Sequence, residues 1–246
     1  MTRLLTLNLQ GYADRHGPWD ERRKLIERAI TEAQPDIVTL QAVALDPEQH
    51  PSDQATQLAA SLEGYRAVFV AAQTHPDGRQ DGLAFLTMGP LPDVRRHELS
   101  LQPGLEDPSR RVLLHGRFET PEGPLDVFGA HFSWVPAQQE DNVREALSVL
   151  EGTAGPAAVL AGDFNMQPDS PHLGGLREAE WIDAWAALHP AENGFTFAED
   201  RDPSIRIDYV WTRGVRAQTI SVVLAESEGL RRASDHAGLL VKLERP

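Results

Sequence analysis

The sequence predicts an α/β fold: a four-layered α/β sandwich, two packed, mostly antiparallel (mixed) β-sheets flanked by helices. Three observations predict it. Apolar runs with strand character alternate with segments of helical spacing along the chain. Strand candidates in the first half follow one another closely, separated by turn signals that favour hairpins. Each half then repeats a similar strand–helix layout, and no linker or low-complexity tract divides the two. With 246 residues and 41% hydrophobic content, the chain can bury one sizeable core, and it is read as a single domain, 1–246.

The elements follow in order. Leu4 to Asn8 reads as a first strand. Asp20 to Ala33 carries Leu25, Ile26, Ala29, Ile30 and Ala33 at helical spacing, with Asp20 and Glu21 in the first turn, where acids favour the helix dipole. Pro35 ends that helix, and Asp36 to Gln41 reads as a second strand. Ser52 is an expected N-cap for an amphipathic helix through Leu62. Strands are expected at Tyr65–Ala71, Gly82–Thr87, Val112–Phe118 and Leu125–Ala130, with turns at Pro76-Asp77-Gly78, Gly89-Pro90 and Pro121-Glu122-Gly123-Pro124. A helix from Pro136 to Glu151 follows, with Gly152 just past its end. The rest reads as a strand into Gly162-Asp163, a short helix after Ser170, and strands at Ile207–Thr212, Val215–Ala225 and Gly238–Glu244.

Charge and composition narrow the function. A net charge of −14 works against broad attraction to nucleic acid, whose non-specific binding draws on Lys and Arg displacing counterions. With no cysteine there is no disulfide, thiolate nucleophile or zinc–thiolate site, so any metal ligand is Asp, Glu, Asn, Gln or His. No stretch approaches the ~18 apolar residues of a spanning helix, and the chain enters a strand at once without a secretory pattern. The expectation is a cytoplasmic protein with no membrane anchoring, a monomer by default.

Polar residues stand at the ends of apolar runs in Leu160-Ala161-Gly162-Asp163-Phe164-Asn165, Arg206-Ile207-Asp208-Tyr209 and Ser234-Asp235-His236. Such a position faces a site above a sheet. With Leu7-Asn8 and Gly129-Ala130-His131-Phe132, these five elements and their order resemble the endonuclease/exonuclease/phosphatase superfamily, the fold of deoxyribonuclease I and exonuclease III. The resemblance spans Asn8 to His236. It implies a metal-dependent phosphodiesterase that cleaves P–O bonds by direct attack of water.

The residue types suit that chemistry. Asp163 and Asn165, two apart on an extended segment, would point the same way, one accepting a proton and the other donating to a phosphate oxygen. His236, held in one tautomer by Asp208, would present its other nitrogen to the phosphate and stay cationic as charge develops. His131 would donate to a non-bridging or leaving oxygen. Asn8 and Asp235 are the metal-side candidates, since Mg2+ or Mn2+ prefers oxygen ligands. Trp134 is a candidate stacking platform or a rim aromatic; Arg110-Arg111 and Arg231-Arg232 are phosphate guides or solvated cations. His16, His50, His75, His97, His172 and His189 read as solvent-facing, and His115 as partly buried.

One position departs from the pattern. In the family the second strand ends in Gln-Glu, whose Glu binds metal; here Gln41 runs into Ala42. A methyl group coordinates nothing, so metal binding should weaken. Three explanations stand: an engineered substitution, favoured because every other element is intact; a natural one, with Asp14 or Asp46 supplying the charge; or a catalytically dead relative that binds without cutting. The expected substrate is a phosphoester, nucleic acid first. A phosphomonoester or lipid head group is the alternative for an enzyme, and a non-catalytic phosphate-binding module the alternative outside enzymes.

Overall fold

In a computed structural model that describes residues 1–198, 202–226 and 232–245, the strands run β1 (Thr2–Asn8), β2 (Ile37–Leu45), β3 (Arg66–Thr74), β4 (Gln80–Thr87), β5 (Val94–Glu98), β6 (Val112–Thr120), β7 (Gly123–His131), β8 (Ala158–Asp163), β9 (Ile182–Asp183), β10 (Asp208–Arg213), β11 (Arg216–Val223) and β12 (Gly238–Glu244). The helices are α1 (Trp19–Ala33), α2 (Gln54–Ser61), α3 (Pro136–Thr153), α4 (Gly174–Glu178) and α5 (Ala184–Leu188). They build two six-stranded sheets, ordered β11-β12-β1-β2-β4-β3 and β5-β6-β7-β8-β10-β9. Each is mixed: β1 with β2 and β7 with β8 are parallel, and every other pairing is antiparallel.

Burial explains the four layers. Leu4, Ile37 and Phe85 of the first sheet meet Leu114, Val159 and Val210 of the second in a core between the sheets. The opposite face of the first sheet, including Leu5, Leu7 and Val38, packs against Ile26 and Ile30 of α1 and Leu58 of α2. The opposite face of the second packs Phe128, Leu160 and Trp211 against Val143, Ala146 and Leu150 of α3. Because side chains alternate along a strand, Leu4, Thr6 and Asn8 share one face of β1. Val127 and His131 do the same on β7, Val159, Ala161 and Asp163 on β8, and Val210 and Asp208 on β10. The polar residues therefore lie where the inter-sheet face of each strand reaches the rim.

Two glycines make that rim possible. Gly162 has φ +145°, and a Cβ there would stand 2.0 Å from the Ala130 carbonyl oxygen, so only glycine lets β8 run beside β7 into Asp163. At Gly129 a Cβ would come within 2.8 Å of Thr39 Oγ1 of the facing sheet.

Several local expectations are corrected. Asp53, not Ser52, caps α2, its carboxylate accepting from the Thr56 N–H. α3 runs on through Gly152 to Thr153, since an exposed glycine costs a helix end little. β5, β9 and α5 lacked a strong period: β5 is a charged edge strand, β9 has two residues, and α5 has five. His16 is buried rather than solvent-facing, and His115 is buried, its Nε2 2.9 Å from Asp126. Among the described residues no helix is long and apolar enough to cross a membrane.

Candidate active site

Strand pairing sets the spacing of the site. Asp163 lies opposite His131 in the parallel β7–β8 register and opposite Asp208 in the antiparallel β8–β10 register. One sheet thus brings three ionisable side chains into a row. From the other sheet, Asn8 Nδ2 donates to Asp163 Oδ2 at 2.9 Å, while its Oδ1 accepts the Gln10 N–H. His131 Nε2 is 3.4 Å and His236 Nε2 3.6 Å from the same Asp163 oxygen. His236 Nδ1 meets Asp208 Oδ2 at 2.8 Å. Asp235 is more peripheral, its Oδ1 4.0 Å from His236 Nε2 and accepting from Ser234 Oγ.

Asn165 joins this cluster through its backbone. Its φ of +52° is left-handed rather than extended, so the expected parallel orientation with Asp163 is not the arrangement found. Its N–H donates to Asp163 Oδ1, and its side-chain amide donates to the Phe132 carbonyl oxygen. An Asx turn has replaced extended geometry, which asparagine tolerates well.

The electrostatics separate the two imidazoles. Burial disfavours the charged form of His236, but the carboxylates of Asp208, Asp163 and Asp235 outweigh it and raise its pKa to about 9. His131 goes the other way: burial, reinforced by the Arg111 guanidinium, keeps it neutral despite Asp163. Burial also raises the Asp163 carboxyl, against the pull of both imidazoles. A cationic and a neutral imidazole therefore flank one carboxyl whose proton affinity is enhanced.

Support comes from residues that sequence reasoning passed over. Thr196, fully buried, accepts through its hydroxyl from the Ile207 and Asp208 N–H groups, while its carbonyl accepts from the Ala237 N–H. It ties the Asp208 and His236 segments together, and Phe197 lays its ring against His236. Arg206 pairs with both Asp183 oxygens and lies over Tyr209, whose hydroxyl donates to the Met166 carbonyl. Arg22 is buried and donates to the Leu9, Gly11 and Ala233 carbonyls, stapling the end of β1 to the segment before His236. The Arg206 motif was visible in sequence; these long-range partners were not.

Ala42 also reaches this rim, at φ +48° beside the irregularity where β2 loses register with β4. It lines a cavity that includes His131. Asp14 is exposed, and Asp46 accepts the Glu48 N–H in a turn; neither joins the acid–imidazole cluster. Arg111 is buried against Asp107 and Arg232 is buried too, so neither is a solvated cation; Arg110 is exposed, and Arg231 lies outside the described residues. Trp134 is half exposed.

The donor set fits a hard divalent cation. Among the described residues Asp163, Asp208 and His236 place ligand atoms within 4.8 Å of one another, and Asp208 Oδ1 is buried without a hydrogen-bond partner. The two carboxylates, Asp163 and Asp208, supply the oxygen chemistry such an ion prefers. Ala42 adds nothing to it.

Two sheets packed face to face, with an acid–imidazole cluster at one rim, define the class: an α/β sandwich with its polar site above the inter-sheet core. The chain belongs to the Endonuclease/Exonuclease/phosphatase family, whose model matches residues 5–236. Members of that family are generally hydrolases acting on phosphoesters, and generally use divalent metals. The fold is similar to that of an endonuclease/exonuclease/phosphatase family protein from Leptotrichia buccalis, with TM-score 0.81 and 17% identity over 99% of this chain and 100% of that one. The endonuclease/exonuclease/phosphatase from Beutenbergia cavernae gives TM-score 0.76 and 25% identity over 99% and 71%. The human Nocturnin catalytic domain, solved with a bound sulfate anion, gives 0.73 and 21% over 100% and 93%. Comparison with curated protein sequences gave no match.

Proposed function

We propose that the chain is a divalent-metal-dependent phosphodiesterase, a nuclease in its leading form, which hydrolyses P–O bonds by direct attack of water, with metal binding weakened by Ala42. The observation that carries this reading is the convergence of Asn8, His131 and His236 on one oxygen of Asp163. Asp163 accepts the proton of the attacking water; its raised proton affinity suits that task. His236, kept cationic by Asp208, steadies negative charge on the phosphoryl oxygens as it develops. His131, neutral, donates one N–H to a non-bridging or leaving oxygen. Asn165 fixes Asp163 through its backbone, and Asp235 borders His236.

Asn8, Asp208 and Asp235 are the oxygen donors that would hold Mg2+ or Mn2+, which when bound neutralises phosphate charge and stabilises the leaving oxygen. No Ser or Cys nucleophile enters. The test is release of nitrophenol from a bis-nitrophenyl diester and a nitrophenyl monoester, and cutting of fluorescent single- and double-stranded oligonucleotides, across a Mg2+ and Mn2+ series. Metal-dependent cleavage of diester and oligonucleotide is expected. Cleavage of the monoester alone would make the chain a phosphatase, and no cleavage of any substrate would overturn the proposal. A second reading, a non-catalytic phosphate-binding module, is favoured by one observation, the methyl group at Ala42.

A further inference from the structure

Beside the reaction centre lies a cavity of about 270 Å³ between the two sheets. His131 belongs to both. Ala42 and Gln10 form its wall on the β1–β2 side, and Arg110 and Arg111 the wall on the β6 side. At the β3–β4 end, the one acid of the lining, Asp81, is held by His75 at 2.6 Å.

The balance of charge at this cavity is unusual for a chain of net charge −14. Arg111 is anchored through Nη2 on Asp107, which also takes Ser133 Oγ and the Ser109 N–H, so its guanidinium cannot swing away. Its Nε is buried with no hydrogen-bond partner among the described residues. Arg110 is exposed, and among the described residues its guanidinium forms no ion pair; only its backbone N–H is engaged, by Gln73 Oε1. A carboxylate at position 42 would oppose any anion here, and this chain has a methyl group instead.

We infer that this cavity is a subsite for a second phosphate, so that the substrate carries two phosphoryl groups, one reacting at Asp163 and its neighbour held by Arg110 and Arg111. A guanidinium fixed by a buried carboxylate is a pre-organised phosphate receptor, and a second, exposed arginine adds charge without an acid to neutralise it. The low-dielectric walls of the two sheets strengthen both. His131, shared by the cavity and the reaction centre, sets the two phosphates side by side. The inference rests on the phosphoesterase reading only for the place of the reacting phosphate.

Binding separates the two claims. In metal-free buffer, isothermal titration with inorganic pyrophosphate should show affinity about tenfold or more above that for orthophosphate. Arg110→Gln should remove that preference, Ala42→Glu should diminish it, and Lys242→Gln, the same charge change on β12, should leave it in place. Equal affinity for the two anions, no binding of either, or a preference that survives Arg110→Gln would overturn the subsite. In the metal-loaded protein, thymidine dinucleotides with a terminal 5′- or 3′-phosphate should be cut with higher kcat/KM than the dinucleotide without one. Equal cutting of all three would refute the subsite while leaving the phosphodiesterase reading intact; cutting of none would overturn that reading, while a pyrophosphate preference lost in Arg110→Gln would still uphold the subsite.

Discussion

The two sheets contribute unequally to the same rim. The second delivers His131, Asp163 and Asp208 on three hydrogen-bonded neighbours, β7, β8 and β10, so backbone register alone sets their spacing. The first delivers Asn8 and, within an irregularity of β2, Ala42. One half of the rim is built by regular pairing and holds three ionisable side chains; the other is built by a strand end and a bulge and presents an amide and a methyl group. Register is hard to change without dismantling a sheet, since a one-residue slip turns every side chain to the other face.

The largest effect should come from breaking the regular half. Asp163→Asn keeps the shape but removes the proton acceptor, and metal-dependent diester cleavage should fall by about 10²–10⁴-fold, read from initial rates; a loss under tenfold would move the acceptor elsewhere. Next in size is its support. Arg206→Ala leaves Asp183 of β9 as a buried carboxylate without its cation, and urea unfolding should show a loss of about 3–5 kcal/mol. A loss near zero would mean that the Asp183 carboxylate finds other partners.

A smaller, pH-dependent effect tests the imidazole. The pKa of His236 rises from 6.5 to about 9 in the fold, so between those values the folded state holds a proton that the unfolded chain releases. The stabilisation is complete below pH 6.5 and is lost as pH rises through 9. The melting temperature of the metal-free protein should therefore drop from pH 7 to pH 10, and drop less in His236→Gln; matching slopes would contradict the ion pair with Asp208.

The same inequality decides what was legible in the sequence. Apolar alternation fixed which face Asn8, Asp163 and Asp208 occupy, because period two carries straight through a strand into its last residue. That is why the two-sheet architecture and five motif elements could be read without coordinates. Asn165 escaped the same logic because the strand had already ended and an Asx turn took over. His16 was misjudged, and the solvated alternative for Arg111 and Arg232 fails, because polar side chains are buried by partners that no local period announces, such as Asp107 for Arg111. Thr196 is the same case: its worth lies in two backbone N–H groups some ten residues on.

The depleted half offers the most direct test. Diester cleavage followed against manganese concentration should saturate at a concentration about tenfold or more lower in Ala42→Glu than in the chain as it stands, because affinity for a hard cation follows the number of charged oxygens around it. That shift, with Asp163→Asn silencing both proteins, is the expected result. Superimposable manganese curves, or two proteins that cleave nothing at any concentration, would contradict a reaction centre intact in one sheet and weakened in the other.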